Sequence, residues 1–313
     1  MMRPTDSITA IVVAGPTASG KTALGLALAE ALGGEIVNYD SVQLYRDFDV
    51  GTAKPAAEEL ARVQHHLIGA ADAHAPWTAG EYARRARPVV EEIAGRGRVP
   101  ILVGGTGFYL RALLDGLSPA PSAPPELRAR LQARSPERLR RLLQRLDPEA
   151  AARIAPRDLS KTVRALEVRL LTGRGMAAGW EEAPPERWSR VRAIKLGLAP
   201  ERAALYARIH RRAEAMFSGP IQEETRRLLP RYPAELRIWI SHGYKQASDI
   251  VLRGAAPAAA LAEAQLEQRH YAKRQWTWFR ADPAMPWLAG FGDEAGVQRA
   301  AVAIAAGAGA KRR

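Results

Sequence analysis

The chain contains no cysteine among its 313 residues. Disulfide staples and thiolate metal sites are therefore excluded, which fits a reducing compartment, and a cytoplasmic location is expected. Long apolar runs are missing too. The stretch Ile8–Ala14 is too short to cross a membrane, and it leads into a glycine loop rather than a small-residue cleavage site. Neither a membrane partner nor a targeting segment is expected. There is no internal repeat, and a monomer is expected.

What is present is an ordinary globular composition, 47% hydrophobic, with room for one large domain carrying an insertion or for two domains. The formal net charge is +13, and it is unevenly placed. Residues 1–121 hold 11 Lys+Arg against 13 Asp+Glu, residues 122–192 hold 16 against 9, and residues 193–313 hold 19 against 11. The basic excess lies wholly after the first third. A codon bias toward arginine is one explanation; a polyanion-binding surface on the later segments, with nucleic acid the usual partner, is the other.

Residues 8–14 are β-branched and short, the pattern of a buried parallel strand. Glycines follow, then an Ala/Leu helix over 22–32 that Gly33-Gly34 stops. Residues 35–38 form a second strand running into Asp40, and 99–103 a third that ends in Gly104-Gly105-Thr106-Gly107. Strand, glycine turn and helix in repetition predict an α/β fold, a P-loop NTPase-like parallel sheet flanked by helices, with ligands at the carboxyl ends of its strands. A proline-rich break at 118–125 opens an Arg-rich helical stretch interrupted near Pro136, Pro148 and Pro156. Residues 191–198 alternate like a strand returning to the sheet. The core is thus expected in 1–121 and 191–313, with a helical insertion at 122–190; further helices are expected over 201–230 and 257–281.

Gly15-Pro16-Thr17-Ala18-Ser19-Gly20-Lys21-Thr22 matches G-x-x-x-x-G-K-[ST] between a strand and a helix, as a P-loop requires. Its backbone N–H groups ring an anion at a positive helix end. Lys21 neutralises phosphate oxygens, and the Thr22 hydroxyl is a candidate Mg²⁺ ligand. The loop does not say what is done to the phosphate. Asp40, at a strand end, reads as a helix cap, a metal ligand or a general base. His65-His66 lacks helical zinc spacing and a third ligand, so a structural role at a strand or loop edge is expected.

Further blocks narrow the choice: Asp40-Ser41-Val42-Gln43-Leu44-Tyr45, Gly51-Thr52-Ala53-Lys54-Pro55, His65-His66-Leu67, Gly104 to Tyr109, Arg164-Ala165-Leu166-Glu167-Val168, and the run from Tyr271 to Arg280. With the P-loop, these seven ordered blocks make the chain closely resemble the tRNA dimethylallyltransferase (isopentenyltransferase) family. The resemblance implies transfer of a dimethylallyl group from dimethylallyl diphosphate, with Mg²⁺, to N6 of adenosine 37 beside the tRNA anticodon. It also implies that the helical insertion binds tRNA. Residues 15–22 would hold the diphosphate, Asp40 would take the amine proton, and Thr106 would contact the reacting region or the diphosphate. Arg212 would be the diphosphate arginine, chosen over Arg208 and Arg211 by register alone.

The anticodon stem-loop is expected against Asp40, Ser41, Val42, Gln43 and Thr106 in the core, and against Arg128, Arg157, Asp158, Leu159, Ser160, Lys161 and Arg164 in the insertion. His242, Gly243, Tyr244, Lys245 and Gln246 are expected there too, with Lys273, Arg274, Gln275, Trp276, Thr277, Trp278, Phe279 and Arg280. In that last run cations alternate with aromatics, which suits phosphate contact beside base stacking; a core role for Trp278 and Phe279 is the alternative. The chain departs from the family at Gly69, where an acidic residue is usual, at Lys161, where arginine is usual, in the loop 72–80, and at Ser241-His242. None of these touches the P-loop, Asp40 or Thr106. A small-molecule kinase or free-nucleotide prenyltransferase would share the loop but has no use for the basic later segments. A hydrolytic switch protein would need a more apolar second strand than residues 35–40 provide.

Overall fold

The computed structural model describes residues 7–117, 120–176, 187–241 and 243–310; His242, expected at the tRNA, lies outside the described residues. Two compact units emerge. One comprises the chain up to Leu114 and from Ser189 onward, the other Asp115–Trp188. The division falls there rather than at the 122 and 190 suggested by the proline run and the returning strand.

The first unit is built on a six-stranded, all-parallel sheet. Its strands are β1 (Ile8–Ala14), β2 (Gly34–Asn38), β3 (His65–His66), β4 (Val99–Val103), β5 (Val191–Ala199) and β6 (Trp287–Ala289), in the order β3-β2-β4-β1-β5-β6. Every residue of β2 and β4 is buried, as expected for strands covered on both faces. From sequence alone β4 reads as the third strand, because β3 is only two residues long. That short edge strand is where His65-His66 sits: His66 Nε2 pairs with Glu35 Oε2 at 2.7 Å, and Arg96 reaches the same oxygen at 2.7 Å. Burial opposes ionisation of Glu35, but these two hydrogen bonds outweigh it and lower its pKa.

Helices α1 (Lys21–Leu32), α2 (Ala57–Arg62), α3 (Ala79–Gly95) and α4 (Gly107–Leu114) accompany the first four strands. α1 stops where Gly33 takes a left-handed φ of 66° and its N–H bonds to the Ala29 carbonyl. α3 starts at Thr78, whose hydroxyl accepts from the Glu81 N–H.

The second unit holds α5 (Pro125–Gln132), α6 (Pro136–Leu146), α7 (Pro148–Arg153) and α8 (Leu159–Thr172). Of the three prolines that read as breaks, Pro136 and Pro148 are first-turn residues, and Pro156 lies in the turn between α7 and α8. Ser135 caps α6 ahead of Pro136, Asp147 caps α7 ahead of Pro148, and Asp158 caps α8. Leu131, Leu139, Leu143, Ile154, Val163 and Leu166 form its core. Since Leu143 is fully buried there, Leu143→Ala is expected to destabilise this unit by about 2–5 kcal/mol, read by denaturant unfolding.

In the first unit α9 (Arg202–Phe217) and α10 (Pro220–Leu228) follow β5, separated at Gly219-Pro220 where one longer helix is expected from sequence. A 3-10 turn (Arg237–Ile240), α11 (Tyr244–Arg253), α12 (Pro257–Arg280), β6 and α13 (Ala295–Gly307) complete it. α1, β4, β5 and α13 share one apolar cluster that includes Leu24, Leu28, Val103, Leu196 and Ala301. Among the described residues no helix is long and apolar enough to cross a membrane.

Candidate diphosphate and acceptor cleft

The P-loop leaves β1 and enters α1 through backbone that side chains resist: Gly15, Ala18 and Gly20 all have positive φ. At Gly20 a Cβ would come within 2.8 Å of the Gly292 nitrogen, so only glycine fits against the C-terminal segment. Gly292 in turn donates to the Ser19 carbonyl at 2.9 Å. The loop is therefore held from behind by residues the sequence does not mark.

Beside the loop lies a cleft of about 460 Å³. Thr17, Ala18, Gly20, Lys21 and Thr22 line one part of it, and Asp40, Ser41, Val42 and Gln43 another. Gly51, Thr52 and Ala53 add a wall, and Arg212, Met216, Ser241, Gln268, Tyr271 and Gln275 come from the C-terminal half. Thus the structure brings Asp40, Lys21, Thr22 and Arg212 around one space.

Asp40 is placed by its neighbours. Asn38 Oδ1 accepts from the Asp40 N–H at 3.0 Å, and Asp40 Oδ1 accepts from the Val42 N–H at 3.0 Å. Gly104 packs so tightly that a Cβ there would stand 2.8 Å from the Asp40 nitrogen. Thr106 does not line the cleft but braces the Asp40 turn, accepting from the Ser41 N–H at 2.9 Å and donating to the Ser41 hydroxyl at 3.1 Å.

Lys21 Nζ donates to the Pro16 carbonyl at 2.8 Å. Desolvation lowers its pKa to about 8; Asp40 pulls it up, and Arg212 pushes it down. Arg212 donates to Thr17 Oγ1 at 2.7 Å and to Gln268 Oε1 at 3.1 Å. Among its neighbours in sequence, Arg208 pairs with Asp293 at 2.7 Å and stacks on Phe291, while Arg211 is exposed and lines no part of the cleft. Among the described residues, Ser19 Oγ and Arg212 Nε are buried polar atoms with no protein partner, both at the loop. Such donors suit an anion.

Gln275 is a different kind of residue from the one its motif suggests. It is buried, accepting from the Thr17 N–H at 2.7 Å and donating to the Gly105 carbonyl at 2.9 Å. It ties the two glycine loops together. Gln268, Tyr271 and Met216 also reach the cleft; Tyr271 opens one of the family blocks, but from sequence none of the three is given a site role. The signal that could have found them is helical spacing: 268, 271 and 275 share a face of α12, as 212 and 216 do of α9.

The residues expected at the tRNA divide into inward and outward sets. Tyr244, Gln246 and Phe279 are buried, whereas Lys245, Lys273, Arg274, Thr277 and Arg280 are exposed. Trp276 is half-buried against Leu205 and Ile209. Trp278 is 44% exposed and meets Phe108, itself 47% exposed, edge to face. Of the two aromatics with alternative readings, Phe279 is core and Trp278 is open. In the second unit Arg157, Leu159, Ser160 and Lys161 are exposed, and Asp158 caps α8. Arg128 instead grips fully buried Glu167 at 2.6 and 2.9 Å. Arg164 joins them at 3.2 Å and holds the Pro121 carbonyl at 2.9 Å.

A P-loop at the carboxyl edge of a parallel sheet, with a carboxylate across the cleft, defines an α/β P-loop protein that acts on a phosphorylated substrate. The chain belongs to the IPP transferase family, whose model matches residues 43–282. It is 49% identical over 297 residues to the tRNA dimethylallyltransferase of Koribacter versatilis (strain Ellin345), covering 94% of this chain and 96% of that protein. The tRNA dimethylallyltransferase of Myxococcus xanthus (strain DK1622) is 47% identical over 285 residues, 89% of this chain and 91% of that one. Among solved structures, the full-length tRNA isopentenylpyrophosphate transferase of Bacillus halodurans superposes with a TM-score of 0.70 at 33% identity, over 96% of both chains. A eukaryotic dimethylallyltransferase acting on tRNA gives 0.76 at 25% identity, over 90% of this chain and 74% of that one.

Proposed function

We infer that this protein is a tRNA dimethylallyltransferase: it transfers the dimethylallyl group of dimethylallyl diphosphate to N6 of adenosine 37 in tRNA and releases diphosphate. The observation that carries this reading is the single cleft in which the anion-binding P-loop and Arg212 meet Asp40. The N6 lone pair is delocalised into the purine, so the amine needs a base, and the allylic carbon needs its leaving group stabilised. The N6–C1 bond forms as the C1–O bond breaks. The N6 lone pair makes the new bond, the C1–O pair leaves with the diphosphate, held by loop N–H groups, Lys21 and Arg212, and the amine proton passes to Asp40. Thr106 keeps the Asp40 turn in register.

A magnesium ion fits this donor set only as a guest of the diphosphate. Among the described residues no three His, Cys, Asp or Glu side chains gather to hold one, so the Thr22 hydroxyl would add to phosphate and water ligands. Such an ion would offset leaving-group charge.

The exposed cations of α12, with open Trp278, supply phosphate contact and stacking for an anticodon loop whose base must be unstacked to react, and those of the α7–α8 corner give the helical unit a phosphate-binding surface of its own. On this reading the sheet unit is catalytic, the helical unit contacts tRNA, and the protein works in the cytoplasm as a monomer. Purified protein incubated with Mg²⁺, labelled dimethylallyl diphosphate and undermodified tRNA is expected to move label into the RNA. Label appearing on free AMP and not on tRNA would sink the reading.

A further inference from the structure

Glu224, on α10, lies outside the lining of the cleft, yet it holds one of its walls. Its side chain is 4% exposed. The Asp49 N–H donates to Oε1 at 2.8 Å, the Val50 N–H to both oxygens at 3.1 Å, and the Gly51 N–H to Oε2 at 3.2 Å. The Tyr244 hydroxyl donates to Oε2 at 2.5 Å. Three successive backbone N–H groups thus curl around one carboxylate, as a loop does around a bound anion, except that the anion belongs to the protein. The fit is close: a Cβ on Gly51 would stand 2.5 Å from the Tyr244 ring.

The clamped loop continues into the cleft. Gly51, Thr52 and Ala53 line it, and Gln43 Nε2 donates to the Ala53 carbonyl at 2.9 Å. Gln43 belongs to the turn whose N–H groups are gathered by Asp40 Oδ1. A chain of contacts therefore runs from Glu224 through the 49–53 loop to the Asp40 turn, without involving the P-loop.

We propose that Glu224 is a positioning residue for the acceptor base: its charge fixes the 51–53 wall and the Gln43 turn, and so sets where the adenine lies relative to Asp40. The proposal rests on the transferase reading above. A glutamine at 224 keeps the volume but offers one acceptor oxygen and turns an NH₂ toward backbone donors. On this proposal the wall contacts the acceptor before and during reaction, so its loosening shows first as weaker acceptor binding.

The experiment compares Glu224→Gln, Glu224→Asp and Tyr244→Phe with the parent protein. Steady-state transfer to tRNA is measured alongside direct binding of dimethylallyl thiolodiphosphate, an unreactive analogue. For Glu224→Gln the tRNA KM is expected to rise about tenfold, with kcat falling less than about threefold and analogue affinity held within about twofold. Glu224→Asp should recover part of the loss, and Tyr244→Phe, which keeps the three N–H contacts, should raise KM less. An unchanged tRNA KM overturns the proposal, as does a parallel loss of transfer and analogue binding, which marks a merely structural residue. Should Glu224→Gln fail to fold, Glu224→Asp decides, because the shorter side chain draws the carboxylate away from the three N–H groups: a normal tRNA KM there overturns the proposal. If the parent protein binds the analogue but transfers nothing to tRNA, the transferase reading itself fails.

Discussion

Asp40→Asn is expected to lower the turnover of dimethylallyl transfer by about 10²–10⁴-fold, the usual contribution of a positioned proton acceptor. Asparagine is the informative change, because its side-chain oxygen still accepts from the Val42 N–H that Oδ1 now binds at 3.0 Å. The turn survives while the basic oxygen is lost. Alanine would remove both, mixing a broken turn with a missing base. Single-turnover kinetics with saturating tRNA read the rate, and filter binding reads tRNA affinity, which should stay within a few-fold. A loss of binding as large as the loss of rate would make Asp40 a residue that positions tRNA.

The second large effect concerns Lys21. Its pKa, lowered to about 8 chiefly by desolvation, places its titration inside the working range of an assay. Only the ammonium form attracts the diphosphate, so binding is linked to its protonation. Below pH 8 the lysine is charged and affinity is flat. Above it, affinity for the unreactive thiolodiphosphate should fall about tenfold per pH unit, until the pKa that the bound anion imposes on Lys21 is reached. Lys21→Met should weaken binding throughout and remove this limb of the profile. Calorimetric titration at several pH values from 7 to 9.5 checks both. A profile in Lys21→Met identical in shape to that of the parent would assign the titration to another group.

The local parts of this molecule are legible in its sequence, and the long-range ones are not. β1, the P-loop and α1 follow from a β-branched run, a glycine pattern and an Ala/Leu helix, each readable within a few residues. β3 and β6 are too short, at two and three residues, to impose a period, and only pairing with β2 and β5 makes them strands. The α9–α10 break at Gly219-Pro220 is written in the sequence but is easily read through. At the site, Lys21, Asp40 and Arg212 carry recognisable chemistry. Gln275 and Glu224 do not, because each acts on backbone far away in sequence: residue 17 for one and residues 49–51 for the other. Arg128 shows the same limit. Its cation reads as a phosphate contact, but its partner Glu167 lies 39 residues on and is buried, so the pair is invisible to composition. Leaving that carboxylate with neither Arg128 nor Arg164 would cost about 3–5 kcal/mol.

The strand order carries a consequence for how the protein is made. β1, the first of these six strands to be translated, ends up between β4 and β5. β4 is only some ninety residues behind it, but β5 arrives after the whole helical unit has been translated. Throughout that interval the growing chain has β1 as an open, apolar edge, a template for pairing with another nascent copy. The helical unit, with a core of its own, can fold in the meantime. Emergence of Val191–Ala199 then seals the edge along seven residue pairs, from Ile8 with Val191 to Ala14 with Gly197. The vulnerable species in biosynthesis is therefore a half-made sheet waiting for its fifth strand, and slow translation of residues 115–190 would prolong its exposure.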